Sequence, residues 1–145
     1  MNQPVNSGNE KWSRASLRIF GDTLQPDRIG AMLGLEPTRS HLKGERASTR
    51  HNAVRRTSLW LLQCPLDAHL PLQGHLIWLL DLFEPKAQFI TLIGQDYRVD
   101  FFCGFSSENG QGGAEFDRGL LGRLADLEIP FILDLYPPEA IQLDA

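Results

Sequence analysis

The residues best suited to chemistry in this chain are arginines and aspartates spaced two apart. Arg14, Ser16 and Arg18 alternate with Ala15, Leu17 and Ile19, and Arg98 and Asp100 alternate with Tyr97, Val99 and Phe101. A period of two places alternate side chains on opposite faces of a strand. Arg14, Arg18 and Arg98 would then share one sheet face with Ser16, Ser58, Asp100 and Asp134, with Trp60 as an aromatic anchor. A guanidinium presents a planar fork of donors that matches a carboxylate or a phosphate, so such a groove would suit an anionic partner. The same pattern also describes a solvated face laced with cross-strand ion pairs, each worth little. That plainer outcome is the usual one on an open sheet.

Other candidates are weaker. Cys103-Gly104-Phe105-Ser106 matches the active-site tetrapeptide of monothiol glutaredoxins. A redox thiolate needs a helix N-terminus to lower its pKa, whereas Cys103 alternates as an inward strand residue and reads as a buried thiol. The loop Ser106 to Gly113 leads into a helix, a general place for an anion. It contains no Gly-Lys-Ser/Thr and no dinucleotide fingerprint, and it carries Glu108. His69 and His75 are six apart, a spacing that does not share a helix face, and no His/Cys/carboxylate group has ligand spacing. No serine sits in a nucleophile elbow. Neither a metal nor another cofactor is expected, and no catalytic residue is assigned.

The 145 residues suffice for one domain with a real core. The expected organisation is a flexible tail over 1–12, a single domain over 13–138 and a second tail over 139–145. Met1 to Lys11 is polar and reads as no secretory signal. The most apolar stretch, Leu70 to Phe83, is too short to span a bilayer. Two cysteines without a CxxC fit a reducing, cytoplasmic setting. The net charge is −4. Between Glu36 and Arg56, however, six basic residues face two acidic ones, and Arg50, Arg55 and Arg56 lead the binding candidates there. From Asp96 onward ten acidic residues accompany three arginines. A basic patch on an acidic protein gives an oriented field. Nucleic acid is disfavoured, because the patch lacks interleaved aromatics and any recognised module.

These residues are positioned by a series of elements. Ser13 to Phe20 reads as a half-buried strand. Pro26 opens a short helix with Ile29, Met32 and Leu33 inward, and Gly34 closes it. Glu36 to Thr57 is a long excursion with a short edge strand near Arg39 to Lys43, the kind of segment that tends to be functional. Thr57 to Cys64 is a strand apolar on both parities, with Leu59 and Leu61 expected toward the helices. Leu70 to Phe83 is a hydrophobic helix, followed by a short helix through Phe89, Ile90 and Ile93 that Gly94 closes. The strand through Val99, the helix from about Glu115 to Leu127 and the strand Ile129 to Tyr136 form a βαβ crossover. Phe116, Leu120, Leu124 and Leu127 are its stripe, and Leu133 is expected in the core. The fold expected is α+β, a four- to five-stranded mixed sheet with helices mainly on one face.

Leu17-Arg18-Ile19-Phe20-Gly21-Asp22, Leu33-Gly34-Leu35-Glu36-Pro37, Gly44-Glu45, Ser58-Leu59-Trp60, His75-Leu76 and Ile132-Leu133-Asp134-Leu135-Tyr136 together resemble a bacterial family, Domain of Unknown Function 4279. The resemblance spans nearly all of Ala15 to Pro137 and implies no activity, cofactor or catalytic residue. The functional expectation is a non-enzymatic binding protein of the bacterial cytoplasm, similar to small acidic immunity proteins. Its partner would be another protein or a second copy of itself, with no membrane involved. The alternative is a ligand-binding or enzymatic domain that offers the arginine-bearing sheet face to an anionic small molecule.

Overall fold

A computed structural model describes residues 11–47, 53–108 and 112–136. Residues 1–10 of the expected 1–12 tail, the expected tail over 139–145, and Arg50 lie outside these described residues. Alternation of apolar and polar residues sets the central strand, β1 (Lys11–Gly21), on which Ala15, Leu17 and Ile19 are fully buried. It begins at Lys11, so Trp12, expected in the tail, is a strand residue. The other strands are β2 (Arg39–His41), β3 (Ser58–Gln63), β4 (Arg98–Ser107) and β5 (Phe131–Leu135). Their spatial order is β2-β3-β1-β4-β5. All pairings are antiparallel except β4 with β5, which is parallel.

Four α-helices are described: α1 (Pro26–Leu33), α2 (Leu72–Phe83), α3 (Ala87–Asp96) and α4 (Arg118–Leu127). Their buried residues join Ala15, Leu17, Ile19, Trp60, Phe101 and Cys103 in one core, so the helices cover one face of the sheet and, among the described residues, leave the other open. The fold is therefore α+β, with a mixed five-stranded sheet and a βαβ crossover through α4. Pro26 stands at the start of α1, where its missing N–H costs nothing. Gly34 adopts φ 68° and donates to the Gly30 carbonyl, as does Leu35. Asp117 caps α4 by accepting from the Leu120 N–H at 2.8 Å. On α2, Leu72, Leu76, Leu79, Leu80 and Phe83 are all buried, as their spacing predicts.

Several expectations need correction. β3 is phased the other way: Trp60 and Leu62 face the helices, and Leu59 and Leu61 face the open side. Both parities of this strand are apolar, so alternation carries no phase there. The large Trp60 ring fills the space beside Phe83, edge to face at 6.5 Å. Ser58 shares the Trp60 parity and accepts a hydrogen bond from the Lys43 N–H instead of lying on the open face. Met32 is 44% exposed and Leu133 42%, the latter because β5 is an edge strand. α3 runs through Gly94 to Asp96. Phe116 precedes α4 and packs edge to face on Phe131.

Candidate binding face

The open side of the sheet collects residues of one parity from every strand. Strand register places Arg39 and His41 of β2 beside Leu61 and Leu59 of β3. It places Trp12, Arg14, Ser16, Arg18 and Phe20 of β1 beside Ser106, Gly104, Phe102, Asp100 and Arg98 of β4. Ile132 and Asp134 continue the face on β5. Four arginines thus share this face with two aspartates, on a protein whose overall charge is negative.

Arg18 and Asp100 lie opposite each other and form a forked pair. Arg18 Nε donates to Asp100 Oδ1 at 2.8 Å and Nη2 donates to Oδ2 at 2.9 Å. Asp100 is fully buried, and Arg98 Nε approaches its second oxygen at 3.5 Å. The Arg18 guanidinium also sits 4.1 Å from the Phe102 ring centre and 5.1 Å from that of Phe20. A carboxylate can be buried on this face because a bidentate partner and flanking rings replace water. Arg18, Arg98 and Asp100 are therefore brought together, but into a self-satisfied cluster.

Arg14 and Arg39 are placed differently. Among the described residues neither has a carboxylate within ion-pair distance. The Arg14 guanidinium lies 4.6 Å from the Trp12 ring centre, a contact that orients the group without neutralising it. Trp12 meets Tyr136 edge to face at 5.6 Å. Both rings lie over Gly104, where an added Cβ would come within 3.0 Å of Tyr136 and 3.3 Å of Trp12. A side chain here would push the rings back by a few tenths of an ångström, so glycine favours their close approach. The result is a basin of about 320 Å³, walled by Trp12, Arg14, Arg39, Phe102 and Tyr136 over the small residues Ser16 and Gly104. Thr38 fixes its far wall: its N–H donates to the Leu61 carbonyl at 2.7 Å, and its hydroxyl accepts from the Gln63 N–H at 2.8 Å.

The remaining candidates fall outside this basin. Trp60, expected as the anchor of the groove, is buried on the opposite face. Asp134 faces the open side from the edge strand, beside Gly104. The excursion returns on itself, with Gly44 donating to the Arg55 carbonyl and Arg55 to that of Glu45. Its short strand β2 is the expected edge strand. Lys43 pairs with Asp22 at 3.1 Å, which anchors the excursion at the far end of β1 from Trp12. Arg55 is half-buried and Arg56 exposed. No motif in the sequence marks Trp12, Phe102 or Tyr136 for binding, whereas Arg39 counts among the six basic residues of the excursion. Continuing the alternation of Arg14, Ser16 and Arg18 back by one pair would have found Trp12.

Burial pushes the Cys103 thiol up to about 12, with Asp100 adding to the shift, so the group is neutral and inert near pH 7. Cys64 is likewise free and buried. His75 is buried on α2, with Nε2 3.0 Å from the Asp67 carbonyl oxygen, and burial lowers its pKa. Burial and, next, the Arg55 charge also lower that of His41. Among the described residues no three His, Cys, Asp or Glu side chains converge as a metal site requires. No described helix is long and apolar enough to cross a membrane.

A family model described as a domain of unknown function, DUF4279, matches residues 10–138, and the chain belongs to that family. Comparison with curated proteins and with solved structures gives no match.

Proposed function

We propose that this DUF4279 member is a non-enzymatic binding protein of the bacterial cytoplasm, immunity-protein-like, that recognises the acidic surface of another protein through its open sheet face. The observation that carries this reading is the pair Arg14 and Arg39. Both stand on a rigid sheet with no carboxylate partner among the described residues, while the neighbouring Arg18 is neutralised by Asp100. Trp, Tyr and Arg together are the composition of interface hot spots, and Trp12, Tyr136 and Arg14 adjoin one another here. A positive face on a protein of net charge −4 orients encounter with an acidic partner. The Cys103 thiol and the His75 imidazole are buried in the core, away from any ligand on the surface, which fits a binding role.

A second reading, an anionic small molecule on the same face, is favoured by one observation: the basin volume lies at the lower end of the ligand-pocket range. Partner retention from extracts of the native host separates surfaces. Arg14→Glu and Arg39→Glu should abolish retention of the partner held by the unaltered protein. Arg28→Glu on α1 and Arg118→Glu on α4, both exposed on the helical side, should leave it intact. Loss with the helical variants alone would reject the open face.

A further inference from the structure

The open face is not uniformly charged, and its uneven distribution points to one anchoring position. Asp100 neutralises Arg18 and shares Arg98, so the centre of the face is closed to an incoming anion. Beside it the basin offers two guanidinium groups from different strands, Arg14 of β1 and Arg39 of β2, across the Gln63–Ser16 row. We infer that this basin receives a single aspartate or glutamate side chain from an acidic segment of the partner, held between Arg14 and Arg39. The inference rests on the open-face reading and narrows it to one contact.

Three physical features favour a carboxylate on a polypeptide. First, Arg14 is held on the Trp12 ring, so its donors are oriented before the ligand arrives and little side-chain entropy is lost on binding. Second, Trp12, Phe102 and Tyr136 line the basin with aromatic surface, which lowers the local dielectric beside the two guanidinium groups and strengthens charge-assisted hydrogen bonds. The same rings pack the methylene stem of an acidic side chain. Third, Thr38 and Gln63 on the rim supply polar groups for the flanking peptide backbone. A basin of about 320 Å³ holds one side chain with its adjoining backbone. A polyanion such as nucleic acid needs a longer basic track, and Arg18, the next arginine along β1, is already spent on Asp100.

The test is a titration followed by ¹⁵N NMR of the whole chain, reading the Trp12 indole N–H and the arginine Nε–H signals. The probe is a blocked peptide of glutamates flanked by glycines. A glutamine peptide of equal length and sodium acetate serve as comparison ligands. The glutamate peptide should give saturable shifts at Trp12, Arg14 and Arg39, and the glutamine peptide none. Acetate should bind at least tenfold more weakly. Arg14→Gln and Arg39→Gln should each weaken the glutamate peptide by roughly tenfold or more, as expected for loss of a charge-assisted contact. Both replace exposed side chains, and an unchanged dispersion of amide signals verifies the fold. Equal affinity for acetate would overturn the polypeptide source and make the basin a small-anion site. Shifts confined to Arg55 and Arg56, or unaffected by the two variants, would overturn the basin itself. Loss of partner retention in Arg14→Glu without glutamate-peptide binding would reject this contact and keep the open face. Failure of both would reject the two readings together.

Discussion

Replacing Arg18 by Met should destabilise the protein by about 3 kcal/mol, at the lower end of the cost of removing one member of a buried ion pair. Met keeps a flexible apolar stem against Phe102 and Phe20 and removes only the guanidinium. Asp100 then remains fully buried, with Arg98 at 3.5 Å as its nearest cation, and the Arg98 side chain is 57% exposed. The lower end of the range applies because Arg98 can close in and because Arg18 itself is 25% exposed, which admits some water. With a urea dependence of roughly 2 kcal/mol/M for a domain of this size, the unfolding midpoint should fall by about 1.5 M. The double variant Arg18→Met/Asp100→Leu should recover most of the loss, since an apolar pair of similar volume usually matches a buried ion pair in stability. Urea unfolding followed by tryptophan fluorescence and by circular dichroism gives both numbers. A loss below about 1 kcal/mol for Arg18→Met, or a double variant as unstable as the single, would refute the assignment of this pair to the fold.

Leu120→Ala should cost about 2–5 kcal/mol, because Leu120 is 2% exposed in the core, and chemical denaturation measures it. Cys103 should alkylate slowly in the native state even at pH 9 and rapidly after unfolding, when its pKa returns to the ordinary thiol range; mass spectrometry of timed samples reads this. His75 and His41 both have folded pKa values below the ordinary 6.5. Their neutral forms therefore contribute stability that is fully present above pH 6.5 and lost as pH falls from there through the folded values. Thermal unfolding between pH 7 and 5 should show this decline, and His75→Gln should flatten it. Glu84, whose carboxyl is held low by Arg123, contributes stability that is present above about pH 4.5 and is lost only as pH falls below it.

The strands, helices and crossover were legible where one signal dominated. Arg14 to Ile19 alternated, Pro26 and Gly34 marked the ends of α1, and the stripe from Leu72 to Phe83 had helical spacing. β3 was legible as a strand over Thr57 to Cys64 but its phase was not, because Leu59, Trp60, Leu61 and Leu62 are apolar on both parities and only packing beside Phe83 sets the phase. The site was half legible. Alternation grouped Arg14, Arg18, Arg98 and Asp100, but it could not say which arginine a carboxylate neutralises. That depends on the register that sets Asp100 opposite Arg18 and Gly104 opposite Arg14. Arg39 joins the basin only through pairing of β2 with β3, a contact made across the whole excursion. Trp12 was hidden by the polar sequence that precedes it.

The most direct measurement is the association rate of the captured partner with the unaltered protein and with Arg14→Glu/Arg39→Glu, across a range of ionic strength. Charge reversal should slow association and weaken its salt dependence, while folding stability falls by no more than about 1 kcal/mol, the size of the exposed Arg14–Trp12 contact that is lost. An unchanged rate and salt dependence, with the fold intact, would contradict recognition through the open face.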